Sequence, residues 1–105
     1  MILNAFVDKF GNIENMAIAE QIEKILTESL NPVHLEVINQ SHLHAGHAGD
    51  DGSGESHFTV VVVADKLNGL SRVARHRMIF GLLQDAIETM PHALSIRALT
   101  PDEYK

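Results

Sequence analysis

From Asn15 onwards the apolar residues Ile18, Ile22, Ile25 and Leu26 recur at i, i+4, i+7 and i+8, with Glu20, Glu23, Lys24 and Glu28 off that stripe. The spacing predicts a helix with one buried face, capped by Asn15 and stopped at Asn31-Pro32, since a residue before proline is pushed out of the helical region. Val33, Leu35 and Val37 then alternate with His34 and Glu36, the period of a strand with one covered face. Phe58 to Ala64 contains four consecutive valines and no clean alternation, which suits a central strand with neighbours on both sides. After the turn signal Asn68-Gly69, Ser71 can cap a second helix. Its apolar stripe is Ile79, Leu82, Leu83, Ala86, Ile87 and Met90, with His76 inside the stripe and Arg77, Gln84, Asp85 and Glu88 outside it. Pro91 marks the end of that helix, and Leu94, Ile96 and Ala98 alternate with Ser95 and Arg97 as a third strand. Thr100-Pro101-Asp102-Glu103 has the form of a capping box with proline at the first helical position, so a last helical turn is expected there.

The order helix, strand, strand, helix, strand predicts an α+β domain: a three-stranded mixed sheet with two helices on one face. The first two strands should pair antiparallel, and the right-handed crossover through the second helix should set the third parallel to the second. His57 and His92 begin those two parallel strands and so fall at one end of the sheet. The connection 40–56, polar and glycine-rich, empties into the same end and carries His42, His44 and His47, three of the seven histidines. A connection of this length without structure of its own is usually functional or disordered. Residues 1–14, interrupted by Gly11, read as a loosely attached tail to a domain spanning 15–105.

A chain of 105 residues has room for one core. It contains no cysteine, so disulfides are excluded and thiolate ligands must come from another molecule. The net charge of −6 opposes general affinity for nucleic acid without forbidding a local basic patch. With no apolar run of membrane-spanning length and no signal-peptide pattern, a soluble cytoplasmic protein is the expectation. A thiol nucleophile, a Gly-x-Ser-x-Gly elbow and a phosphate loop are all missing, and Asp50 and Asp51 lie in the long connection, poorly preorganised for acid-base work; the expectation is a protein that is not an enzyme.

Glu55-Ser56-His57-Phe58 ahead of the valine-rich strand, Arg75-His76-Arg77 near the start of a helix, and His92-Ala93-Leu94-Ser95-Ile96 followed by Thr100-Pro101 occur in order and correctly spaced. From about Ile18 to Tyr104 the chain resembles the BolA family, whose αββαβ fold is similar to the class II KH fold. The resemblance implies a partner of monothiol glutaredoxins that shares a bridging [2Fe-2S] cluster, in iron-sulfur trafficking or iron sensing. The family's cluster ligand near the C-terminal strand falls on His92. Its loop ligand aligns best with His44, with His47, His42 and His57 as alternatives. Glutathione, bound through the partner, and a glutaredoxin cysteine would supply the thiolates, and the isolated chain should hold no cluster tightly. Histidine in place of thiolate raises the potential of such a cluster, and imidazole ligands are lost on protonation, so binding should weaken at mildly acidic pH.

Each candidate has a plainer reading beside it. His92 could bond to backbone at a strand start, His57 could fix the loop through a hydrogen bond, His76 could be a hydrogen-bonded core residue, and the loop histidines could be solvated. A mononuclear zinc, nickel or copper site is a secondary reading, since His-Ala-Gly-His has no diagnostic geometry. Some relatives are transcriptional regulators, and the basic set Lys66, Arg72, Arg75 and Arg77 makes DNA the alternative partner. The turn Leu67 to Ser71 has one glycine where a KH domain has Gly-x-x-Gly, which weighs against RNA.

Overall fold

The computed structural model describes residues 13, 15–41 and 56–104. Helix α1 (Ile18–Leu30) leads into strand β1 (His34–Asn39), and β2 (His57–Val63) follows. A 3-10 turn (Asp65–Leu67), helix α2 (Arg72–Ala86), strand β3 (Ala93–Leu99) and the short α3 (Pro101–Tyr104) complete the chain. β2 is central: it pairs antiparallel with β1, Val37 opposite Val60, and parallel with β3, His57 opposite Ala93. The expected topology is therefore the observed one.

Side chains alternate across a strand, so Phe58, Val60 and Val62 share the face on which both long helices pack. Ile22, Ile25 and Leu26 of α1 and Ile79 and Leu83 of α2 meet them and are fully buried. Burying each such side chain contributes about 1.5–3 kcal/mol, which makes this layer the main source of stability. Val63 and His34 lie opposite one another on the other face, where the Tyr104 ring of α3 stacks on His34 with centroids 4.8 Å apart. The C-terminal turn thus covers the sheet on the side away from α1 and α2.

Several boundaries differ from the sequence expectation, each for a local reason. Asn15 does not cap α1: the cap position is Ala17, with no side-chain bond, and Gln21 Nε2 instead donates to the Met16 carbonyl at 2.8 Å. Asn31 ends α1 in the left-handed region, φ 47°, rather than extended, because there its N–H still reaches the Thr27 carbonyl. Asparagine tolerates that conformation better than most residues. Helix α2 ends at Ala86, short of Pro91; Ile87 is already extended, though buried, and residues 87–92 bring the chain back to the start of β3. Ile13, assigned by sequence to the tail, is buried in the core, whereas 1–12 and 14 lie outside the described residues.

Two predicted caps are present. Ser71 Oγ accepts from Ala74 N–H at 3.1 Å, and the Thr100 box closes, Thr100 N–H donating to Glu103 Oε1 at 2.8 Å and Glu103 N–H to Thr100 Oγ1 at 3.4 Å. Gly69, at φ 83°, supplies the left-handed turn ahead of α2 that a Cβ would strain. Ser71→Ala is expected to cost about 1 kcal/mol in chemical denaturation, with no change in the denaturant slope.

Candidate functional site

The parallel pairing of β2 and β3 brings His57 and His92 together, with ring centroids 5.8 Å apart. His57 is half-buried and His92 exposed. Both roots of the long connection are fixed at the same end. Ser41, 4% exposed, accepts at Oγ from the N–H groups of Ser56 (2.8 Å) and His57 (3.0 Å), while its own N–H donates to Asn39 Oδ1 at 2.9 Å. Gln40 N–H donates to the His57 carbonyl, and Ala93 N–H to the Ser56 carbonyl, each at 2.8 Å. One serine hydroxyl therefore satisfies two backbone donors, one buried and one part-buried, and pins the position of His57. Ser41→Ala leaves those donors unmatched and is expected to cost about 1–2 kcal/mol, read by chemical denaturation, with shifted His57 ring resonances.

Ser56, fully buried, lies 2.7 Å through Oγ from His57 Nδ1. The pair admits two tautomers: a ligating Nε2 on His57 needs Nδ1–H as donor, whereas a donating Ser56 hydroxyl leaves the proton on Nε2. The bond fixing the loop root, one of the two readings for His57, is thus present. For His92 the exposed ring beside His57 leaves an imidazole presented at the surface. His42, His44 and His47 lie outside the described residues; His42 follows the pinned Ser41 directly, and His44 follows it by three positions. Among the described residues no group of three or more histidines and carboxylates is arranged to hold a metal ion. His57 and His92 present imidazoles at this end, and with no cysteine in the chain any thiolate comes from elsewhere. That donor set fits a cluster shared with a thiol-bearing partner.

The basic set divides. Arg75 is not a surface residue: it is 7% exposed and donates from Nε to the Leu70 carbonyl (2.9 Å) and from Nη1 to the Ala98 carbonyl (3.2 Å). It also pairs with Glu103, Nη1 to Oε1 at 2.6 Å and Nη2 to Oε2 at 3.3 Å. This guanidinium ties the start of α2 to the end of β3 and to α3. Inward positions on α2 run Arg75, Ile79, Leu83 and Ala86. His76, one residue on and about 100° further round the helix, is consequently exposed rather than part of the core, and stacks on Phe80 at 6.1 Å. Lys66 is exposed, yet its Nζ donates to the Ser29 carbonyl at 2.9 Å, where a cation suits the carbonyl end of α1. Arg72 and Arg77 remain exposed. Glu103's bonds to Arg75, then to Thr100 N–H, outweigh desolvation and hold its carboxyl well below the usual carboxylate range, at about 2.

Among the described residues no helix is long and apolar enough to cross a membrane. A family model described as BolA-like protein matches residues 26–103. The "DNA-binding transcriptional regulator BolA" of Escherichia coli is 40% identical over 90 residues, 86% of this chain and 82% of that protein. "SufE-like protein 1, chloroplastic/mitochondrial" of Arabidopsis thaliana is 49% identical over 92 residues, which cover 84% of this chain but 24% of that longer protein. The solved structure of BolA1 from Arabidopsis thaliana superposes with a TM-score of 0.70 at 40% identity, covering 81% of this chain and 93% of that one. With helices, mixed sheet and sequence agreeing over most of its length, the chain belongs to the BolA-like family.

Proposed function

We propose that this protein is a non-enzymatic partner of a monothiol glutaredoxin and shares a bridging [2Fe-2S] cluster with it, in cluster trafficking or iron sensing. The observation carrying this reading is the pairing of His57 and His92 at one sheet end, beside the pinned roots of a loop with three further histidines, in a chain without cysteine. His92 and a loop histidine, His44 first and His42 or His47 as alternatives, serve as ligands; a glutaredoxin cysteine and its bound glutathione supply the thiolates. When bound, the cluster stores or passes an electron or is itself handed on, at a potential raised by imidazole ligation. The chain's own contribution is positional: Ser41 and Ser56 hold the loop root and the His57 ring, and strand pairing holds His92 beside it. Because ligands come from two molecules, cluster retention and heterodimer formation are coupled.

Titration of the protein into a [2Fe-2S]-loaded monothiol glutaredoxin with glutathione, followed by visible absorption and circular dichroism, tests this reading. A reshaped cluster spectrum at one equivalent is expected. An unchanged spectrum with no association contradicts it.

A second reading, DNA binding, draws support from the name of the Escherichia coli relative and from exposed Arg72 and Arg77. It is weakened by the burial of Arg75 and the internal bond of Lys66. Arg72→Ala and Arg77→Ala would each reduce the salt slope of DNA binding by about one under that reading. A salt slope that neither substitution alters would remove it.

A further inference from the structure

The outer edge of β3 carries a feature that the histidine site does not use. Ala93 N–H bonds to Ser56 and the Leu99 carbonyl accepts from Ala64 N–H, so the backbone of 93, 95, 97 and 99 turns towards β2. That of Leu94, Ile96 and Ala98 turns outward, to the side where no further strand pairs among the described residues. Arg75 takes the Ala98 carbonyl from that side. A groove of about 180 Å³ runs along this edge, lined by Arg72, His76, Ile96, Arg97, Ala98 and Leu99. Its charged and titratable lining groups, among the described residues, are two arginines and a histidine, all exposed.

This concentration of positive charge stands against an acidic whole, 14 Asp and Glu to 8 Lys and Arg. Internal pairing uses Lys24 with Glu28, Lys66 with the Ser29 carbonyl and Arg75 with Glu103. Arg72, Arg77 and Arg97 are the arginines left exposed among the described residues, and two of the three line the groove. A free strand edge offers backbone donors and acceptors to an extended segment, and cations beside it select the charge of that segment.

We propose that the outer edge of β3 docks an extended acidic segment of a partner protein, which pairs its backbone with Leu94 and Ile96 and seats a carboxylate between Arg72, His76 and Arg97. The groove has room for one acidic side chain. It lies at the end of β3 away from His92, so this docking is independent of cluster ligation and holds or fails by itself.

Nitrogen-15-labelled full-length protein titrated with an octapeptide of alternating glutamate and threonine tests the proposal. A glutamine-for-glutamate counterpart and an oligothymidylate octamer serve as the other arms. The expected result is amide shifts confined to Leu94–Leu99 and Arg72–His76, weakening with salt. Affinity should fall at least about tenfold for the glutamine peptide and for the double variant Arg72→Glu, Arg97→Glu. Both residues are exposed, and retained shifts elsewhere in the spectrum show that the variant folds; Arg97→Gln is the milder second variant. Absence of peptide binding, equal binding of the glutamine peptide, or indifference to both variants overturns the proposal. So does tighter binding of the oligothymidylate at the same amides, which would make this edge a nucleic-acid surface.

Discussion

His92→Ala is expected to abolish the cluster-bridged complex with glutaredoxin altogether: the cluster spectrum should remain that of glutaredoxin alone at any excess of the variant. Two features make the effect total rather than partial. His92 is exposed at a strand start, so the substitution removes an imidazole without opening a cavity, and stability should be unchanged within about 0.5 kcal/mol. Under the shared-cluster reading His92 is a ligand, which contributes far more than an ordinary hydrogen bond, and the chain has no thiolate to replace it. His44→Ala, His42→Ala and His47→Ala then identify the loop ligand, since one of the three should repeat the loss. His57→Ala should instead weaken the complex by disturbing the loop root, because its Nδ1 is held by Ser56. If His57→Ala and not the loop variants reproduced the loss, the second ligand would be His57.

The largest effect on stability is expected at Arg75. Arg75→Ala leaves the Leu70 and Ala98 carbonyls without their donor and Glu103 without its partner, and removes the packed stem between α2 and β3. The Glu103 side chain is 42% exposed and can rehydrate, so the loss comes mainly from the buried carbonyls and the stem. A cost of about 2–3 kcal/mol follows, or roughly 10–20 °C in midpoint for a domain of this size. Arg75→Lys should recover only part of it, because one ammonium cannot reach the three partners that the planar guanidinium bonds together.

The same pair sets an acid limb of stability. Glu103 has its carboxyl depressed in the folded chain, from 4.5 to about 2, so its contribution is fully present above 4.5 and is lost as pH falls towards 2. Denaturation midpoints of the wild type should decline across that window. In Arg75→Ala the decline should be shallower, since only the bonds to Thr100 remain to favour the ionised form. An equally steep decline would show that other carboxylates govern the acid limb.

The strand order and the convergence of His57 and His92 were legible in the sequence because they rest on periodicity and on the handedness of one crossover, both insensitive to detail. The family resemblance pointed to His92 as well, and to His57 only as an alternative to His44. Arg75 was illegible for a physical reason: a stripe is recognised by its apolar members, and the inward position at 75 is held by a charged residue whose partner, Glu103, lies 28 positions away. Shifted by that one residue, the inward face excludes His76, which apolar spacing alone had placed within it. The sign that could have shown it is the capping box itself, whose Glu103 is fixed by Thr100 close to the end of β3, where α2 must also begin. Similarly, Asn31 ends α1 by a left-handed turn that the pre-proline rule does not anticipate, because a carbonyl of the last helical turn gains a donor there. The loop histidines sit on residues 42–55, outside the described residues, and their order of preference rests on family resemblance.

The most direct measurement is pulsed electron paramagnetic resonance of the reduced cluster in the heterodimer. The protein would be labelled with nitrogen-15 at histidine and the glutaredoxin left unlabelled. Strong hyperfine coupling from imidazole nitrogen is expected, which changes isotope signature with the label and disappears in His92→Ala. Nitrogen coupling that is absent, or that ignores the label, would show that this chain gives the cluster no imidazole and would contradict the shared-site reading.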